Sequence, residues 1–235
     1  MKYTVTSEVF ALDPNLRFGI VIAKGLRNSH SNSSDIQRLR HAENLVRQRI
    51  DQTSLRTWPT ISFYRDLMNK AGINPNRYPV SVEAMAKRIL KGDSLPSINA
   101  LVDLCNAVSL ENLITLGAHD LDDIHEDLSV RFASGSERFM PFGHQEEESV
   151  EAGELIFVSG EQVQTRKWIW RQSELGKTSI KSSRIIFQLV GNSQPSNLVL
   201  LKALESIQKL VLHRFQGECT TFIIEPTNPS ITFSK

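Results

Sequence analysis

The sequence is poor in the residues that staple a chain or ligate a metal. Its 235 residues include two cysteines, Cys105 and Cys219, far apart and each among apolar neighbours. That is too few for a disulfide framework and wrongly spaced for a metal knuckle, so both read as buried thiols of a protein kept in a reducing compartment. The six histidines, at 30, 41, 119, 125, 144 and 213, include no pair three or four apart, which argues against a helical zinc site. Long apolar runs are missing as well. The stretches Phe18 to Ala23 and Leu198 to Leu201 fall far short of the roughly 20 residues a bilayer span requires. The opening decapeptide carries one early lysine but neither the apolar stretch nor the small-residue cleavage site of a secretory signal. No phosphate-cradling Walker loop, paired Cys-x-x-Cys, His-Glu-x-x-His or Gly-x-Ser-x-Gly run occurs. The expectation is a cytoplasmic protein with no membrane association, no metal and no cofactor.

What is present is ordinary globular material, 40% hydrophobic and 23% charged, without repeats or low-complexity tracts. The net charge of +1 conceals a segregation along the chain. Residues 1–92 hold 15 basic against 7 acidic side chains, residues 93–162 hold 2 against 15, and residues 163–235 hold 10 against 4. A basic segment can offer a phosphate-contacting face, because lysine and arginine displace counterions condensed on nucleic acid. The acidic middle cannot. Charges separated in sequence also mix again on folding, which is the competing reading.

Periodicity and punctuation divide the chain. An apolar strand at Phe18 to Ala23 is followed by a polar linker, Asn28 to Asp35, and a charged helical pattern from Ile36 to Ile50. Ile61, Tyr64, Leu67 and Met68 recur at helical spacing from Thr60, and Gly72 stands where a C′ glycine stops a helix. Ser81 reads as the N-cap of the next helix, whose Val82, Met85 and Ile89 share a face before Gly92. A third helix is expected from Pro96, with Asn99, Asp103 and Asn106 forming a polar stripe beside its apolar face. Beyond Asp122 the pattern changes to strands at Leu128 to Phe132, Leu155 to Val158, Gln162 to Trp168 and Arg184 to Val190. The linker-like Gly191 to Ser196 precedes an amphipathic helix from about Ser196 to Phe215 and a strand at Thr220 to Ile224.

One stretch has a family likeness. Tyr64-Arg65-Asp66-Leu67, Gly72 to Pro79, Ser81 to Ala84 and Ile89 to Gly92 resemble the opening helices of free-standing B3/B4 proteins. Leu95 to Ser109 resembles the Val-Asp-x-x-Asn-x-Val helix of the editing domain in the phenylalanyl-tRNA synthetase beta subunit. The likeness continues through Gly117 to Asp122 and Gly153-Glu154 to Arg166 through Ser173, so it covers a little over half the chain. It implies an α/β (α+β) fold: a single compact B3/B4-like domain, 1–235, with helices packed on a mixed sheet. Residues 1–56 add an N-terminal strand and helix, 57–190 form the core, and 191–235 contribute a closing helix and strand.

The same resemblance implies aminoacyl-tRNA as partner and trans-editing as activity, the hydrolysis of the ester on a mischarged tRNA. Such an ester is already activated, so a positioned water and donors for the developing oxyanion suffice, without metal or protein nucleophile. His119 and Ser182 are the expected catalytic groups. Asn99, Asp103, Asn106, Trp168, Trp170, Arg171 and Gln172 are the expected substrate contacts. The synthetase pattern reads His-Ala-Phe-Asp where this chain has Gly117-Ala118-His119-Asp120, which sets the histidine two positions later. Read from the residues alone, polar positions such as Asn99 and Asp103 also serve as caps and loop anchors, serines before a strand as turn formers, and paired tryptophans as core. Trp168 and Trp170 are expected to share one face of a strand, with Arg171 on the other. Arg38, Arg40, Arg47 and Arg49 offer further tRNA contacts, although Glu43 and Asp51 stand at pairing distance. The alternative reading is a non-catalytic module of the same fold that binds RNA, an amino acid or a protein.

Overall fold

The computed structural model describes residues 1–194 and 197–235. The chain runs β1 (Lys2–Val5), α1 (Ser7–Phe10), β2 (Leu16–Lys24), α2 (Ser33–Arg49), α3 (Pro59–Lys70), α4 (Ser81–Leu90), α5 (Ala100–Asn112), β3 (Thr115–Asp120), β4 (Leu128–Phe132), β5 (Arg138–Phe139), β6 (Glu148–Ser149), β7 (Leu155–Ser159), β8 (Gln162–Arg166), β9 (Arg171–Gln172), β10 (Ile185–Asn192), α6 (Leu198–Lys209), β11 (Glu218–Ile224) and β12 (Ser230–Thr232). A mixed sheet has the order β12-β1-β4-β7-β8-β5-β6, with β9 also paired to β8. A second, antiparallel sheet has the order β11-β2-β10-β3. The fold is α+β, as expected, with two sheets where the sequence suggested one.

The near-continuous apolar runs of β2 and β10 follow from burial on both faces. Phe18, Ile20 and Ile22 of β2, with Ile186 and Val190 of β10, face the mixed sheet and meet Tyr3, Val5, Val130 and Phe157 there. Helices α2, α3 and α4 close this first core. The alternate residues Val21, Ala23, Ile185, Phe187 and Leu189 face the other way, into a second core under α5 and α6. Helix α6 lies close on the sheet because Gly19 and Gly191 present no side chain. A Cβ at Gly19 would stand 2.8 Å from Leu204 Cδ2, and one at Gly191 would stand 3.0 Å from Leu200 Cβ.

Several boundaries differ from those expected, each for a local reason. Helix α3 ends as predicted, with Gly72 at φ +72° and the Ile73 N–H returning to the Met68 carbonyl at 2.8 Å. Ser81 is the first helical residue of α4, and Val80 holds the extended cap position. Helix α5 begins at Ala100, because the Asn99 side chain accepts from the Val102 N–H and so caps the helix from outside. Gly117 to Asp122 is not simply a turn, since its first four residues lie in β3, paired along β10. The last predicted helix begins at Leu198 and gives way to a π-helical turn at Leu210–Arg214. Its expected start at Ser196 lies outside the described residues.

The seat of α6 is directly testable. Gly19→Ala places a methyl group in a filled core and is expected to lower stability by roughly 1–3 kcal/mol in urea unfolding, without loss of secondary structure by circular dichroism.

Candidate functional site

Alternation along β3 turns Thr115, Gly117 and His119 toward the space between the sheets, and Gln188 sits opposite Gly117 on β10. Facing them are Thr165 of β8, Ile169 and Trp170 of the β8–β9 turn, Gln172 of β9, and Ser81 at the start of α4. Together they line a cleft of about 110 Å³ that is open to solvent on one side. Its lining is mostly apolar, with a few polar side chains among it. The buried Thr115 hydroxyl lies beside the Tyr64 hydroxyl, which the Thr115 N–H meets at 3.2 Å. Gln188 accepts the Tyr3 hydroxyl at Oε1, 2.6 Å away, leaving its amide N–H groups without a partner among the described residues.

His119 is 2% exposed, and its ring meets Phe157 edge-on with centroids 5.1 Å apart. Burial pushes its pKa from 6.5 down to about 4, so the ring is neutral at neutral pH. Gln172 Nε2 donates to the Ala118 carbonyl at 3.1 Å and lies 3.4 Å from His119 Nδ1. An amide nitrogen only donates, so Nδ1 is the acceptor and the ring proton belongs on Nε2. Gly117 leaves space beside that nitrogen, since a Cβ built on it would lie 3.2 Å from Nε2.

The rim of the cavity is aromatic and cationic. Trp170 meets Tyr78 edge-on at 4.7 Å, with the Arg171 guanidinium 6.0 Å from the Trp170 ring centre. Lys167 Nζ and the Arg77 guanidinium lie 4.8 and 5.1 Å from the centre of Tyr78. Lys167 is neutralised by Glu154 at 2.8 Å, whereas Arg77 and Arg171 meet no carboxylate among the described residues. Trp168 and Trp170 do not share a strand face. Strand β8 ends at Arg166, and Lys167 and Trp168 adopt φ of +46° and +68°. This reversal drives Trp168 into the core, 1% exposed and edge-on to Tyr64, and returns Trp170 to the cavity.

Of the residues expected from sequence, the fold thus assembles His119, Trp170 and Gln172 around one space, with Arg171 at its edge. The others lie elsewhere. Ser182 donates to Asp120 Oδ2 and accepts the Ser179 N–H at 2.8 Å, which fixes the turn before β10. Asp103, fully buried, accepts from the Ser31 and Ser97 hydroxyls and from the Ile98 N–H at 2.9 Å. Asn28 bonds Asn99 Oδ1, the Leu101 N–H and the Ser179 carbonyl, so the polar linker is tied to the N-terminus of α5. Asn106 is half-buried on the same helix and makes no side-chain hydrogen bond among the described residues. The arginines of α2 are engaged within the protein. Arg38 grips Glu111 through two nitrogens, Arg40 binds Glu43 and the Leu95 carbonyl, Arg47 the Asp93 carbonyl and Arg49 the Glu111 carbonyl.

Thr115, Thr165 and Gln188 were not anticipated. Two signals for them existed: the period-two spacing Thr115, Gly117, His119, and a lone amide at 188 within an apolar strand. Among the described residues no group of three histidine, cysteine or acidic side chains is placed to hold a metal ion, and no helix is long and apolar enough to cross a membrane.

The family model described as the B3/4 domain matches residues 64–210, which contain β3, the β8–β9 turn and β10. The chain belongs to the B3/4 domain family. No curated protein matches it. Among solved structures, it is similar to an N-terminal fragment of the phenylalanyl-tRNA synthetase beta-subunit from Pyrococcus horikoshii, at 12% identity and a TM-score of 0.45. That match covers 92% of this chain and 49% of the fragment, so the chain spans about half the fragment's length.

Two outcomes follow from the geometry. Asp103→Ala strands two hydroxyls and a backbone N–H, and is expected to cost roughly 1–3 kcal/mol in chemical denaturation while leaving the cavity's ligand affinity intact. For His119, the unfolded chain takes up a proton near pH 6.5 and the folded chain only near 4. Stability therefore falls as pH drops through that window, by a total on the order of 3 kcal/mol, and is not lost at higher pH. His119→Gln is expected to flatten this acid limb in a series of melts between pH 7 and 4.

Proposed function

We propose that this protein binds the aminoacylated 3′ end of tRNA and hydrolyses the ester of a wrongly attached amino acid. The inter-sheet cavity would receive the amino acid, and the Tyr78–Trp170 rim the terminal nucleotides. The observation that carries this reading is the juxtaposition of a small cavity holding His119, Gln172 and Gln188 with half-buried aromatic rings and two arginines, Arg77 and Arg171, that meet no carboxylate among the described residues. Aromatic side chains stack on unpaired bases, and guanidinium groups pair with phosphate. Membership of the B3/4 family, matched over residues 64–210, supports the same ligand class.

In this reading a water attacks the ester carbonyl carbon. The bond from that carbon to the ribose oxygen breaks, one water proton ends on the departing 3′ oxygen and the other is released to solvent from the new carboxyl group, and a free amino acid and an uncharged tRNA result. His119, held neutral, offers Nε2–H to the carbonyl oxygen as negative charge develops there, so it acts as a donor in place of a base. Gln172 fixes the ring tautomer that makes this donation available. Ser182 has no part in the step, because its hydroxyl is committed to Asp120.

The test is turnover. Purified protein offered a panel of correctly and wrongly charged tRNAs is expected to accelerate deacylation of at least one mischarged species. His119→Ala should lower that rate by about 100-fold, the usual loss of one oxyanion donor. The wild-type rate should show no inflection near pH 6.5, since the ring is already neutral there. Absence of acceleration for every ester would overturn hydrolysis, and saturable, salt-sensitive tRNA binding without turnover would leave a binding module.

A further inference from the structure

We propose that α4 and the turn before it form a docking ridge for double-stranded RNA, along which the stem of a tRNA lies while its unpaired 3′ end enters the cleft. The inference rests on the reading of the cleft given above and extends it to a surface outside the cleft.

Charge gives the ridge. Between Asn74 and Gly92 the chain carries Arg77, Lys87, Arg88 and Lys91 against a single acid, Glu83. All four cations are exposed, and none meets a carboxylate among the described residues. Glu83 does not offset them, because it is buried and paired with Arg65 at 2.7 Å. Burial raises its pKa against the pull of Arg65, Arg56 and Lys87, which places Arg56 beside the same helix. Arg56 is exposed on the 3₁₀ turn Leu55–Thr57, which packs against α4. At the far end, Arg47 and Arg49 line a hollow of about 490 Å³ with Leu90 and Gly92, and bond neutral oxygens alone. Two exposed acids, Asp51 and Asp93, flank that end and are outnumbered by the seven cations. Complementing the helix dipole accounts for Lys87 and Arg88 in the last turn of α4, not for their convergence with cations from two other elements.

Position and composition name the partner. Helix α4 starts at the cleft, where Ser81 is part of the lining, and Arg77 lies against Tyr78 at the rim. From Ser81 to Lys91 the helix advances about 15 Å at 1.5 Å per residue. Ala84, Lys87, Arg88 and Lys91 fall on one exposed face at helical spacing. Helix α4 carries no aromatic ring on which a base could stack, so this face serves a phosphate backbone. Duplex RNA is recognised through its backbone and shape, which such a row of cations fits. A membrane surface does not fit, because the large exposed apolar side chains among the described residues all lie outside residues 47–92.

The experiment uses the full chain and three probes: a short RNA hairpin ending in a four-nucleotide 3′ extension, that tetranucleotide alone, and vesicles of phosphatidylserine and phosphatidylcholine. Fluorescence anisotropy over a salt series gives each affinity and its salt slope. The hairpin is expected to bind at least tenfold tighter than the tetranucleotide. The triple variant Lys87→Ala, Arg88→Ala, Lys91→Ala, checked for an unchanged fold by circular dichroism, should lose at least tenfold in hairpin affinity. Its slope of log K against log salt should fall by about 2–3, near 0.9 for each phosphate contact removed. Its affinity for the tetranucleotide should stay the same, and Lys202→Ala, exposed on α6, should alter neither. No hairpin binding, an unchanged affinity or slope in the triple variant, an equal loss in Lys202→Ala, or tighter ridge-dependent binding to the vesicles would overturn the inference. It fails separately from the reading on which it rests. Tetranucleotide binding with no gain from the stem removes the ridge and keeps the cleft, whereas ridge-dependent hairpin binding without deacylation of any charged tRNA keeps the ridge and removes hydrolysis.

Discussion

Gln188 carries a side-chain amide into the space between two sheets whose facing residues are otherwise largely apolar. Buried without a partner, that amide would cost several kcal/mol. The Tyr3 hydroxyl removes the penalty by donating to Oε1 across the gap at 2.6 Å. Tyr3 is itself fixed by antiparallel pairing to β12 and parallel pairing to β4, so the bond joins the sheets at a defined depth. Burial holds the Tyr3 hydroxyl well above its ordinary pKa, which keeps it a donor at any relevant pH. Gln188 and the Gly117 opposite it on β3 both line the cavity. Thr115, His119 and Gln172 are then gathered around it as a consequence of sheet register.

The elements were far easier to read than the site. The strand at Leu128–Phe132 is legible to the residue because alternation and its flanking acidic cluster both mark it. Strand β3 was hidden because Gly117 and the acidic run after His119 carry turn chemistry, while its pairing to β10 is long-range and leaves no local trace. The polar stripe Asn99, Asp103, Asn106 was real as a pattern, yet two of its members secure the start of α5 to the linker at Asn28–Ser31. Sequence spacing cannot separate a polar residue that lines a pocket from one that satisfies backbone. The tryptophans illustrate the same limit, since two left-handed residues in succession send neighbours of like chemistry to opposite environments.

The displaced histidine also gains a structural meaning. A shift of two along a strand preserves the face, so His119 looks into the same space that a side chain at 117 would enter. The glycine at 117 and the imidazole at 119 are complementary, one vacating the volume beside the Nε2 of the other. The charge segregation along the sequence is partly cancelled by folding. Glu148 and Glu154 of the acidic middle meet Arg166 and Lys167, and Glu111 meets Arg38. Arg77 and Arg171 escape this pairing, which concentrates uncompensated positive charge at the cavity's edge.

The bond between Tyr3 and Gln188 spans 185 residues of sequence, and the contact of Gln172 with His119 spans 53. A site assembled from such distant segments has no existence in any partly folded fragment. Closing these loops is entropically slow, so the cavity forms in the same cooperative event as the native topology. Occupancy and global folding are consequently linked quantities. Whatever fills the cavity raises the midpoint of thermal unfolding of the entire domain in proportion to the logarithm of its free concentration, which makes the melting curve a reporter of ligand even before any chemistry is known.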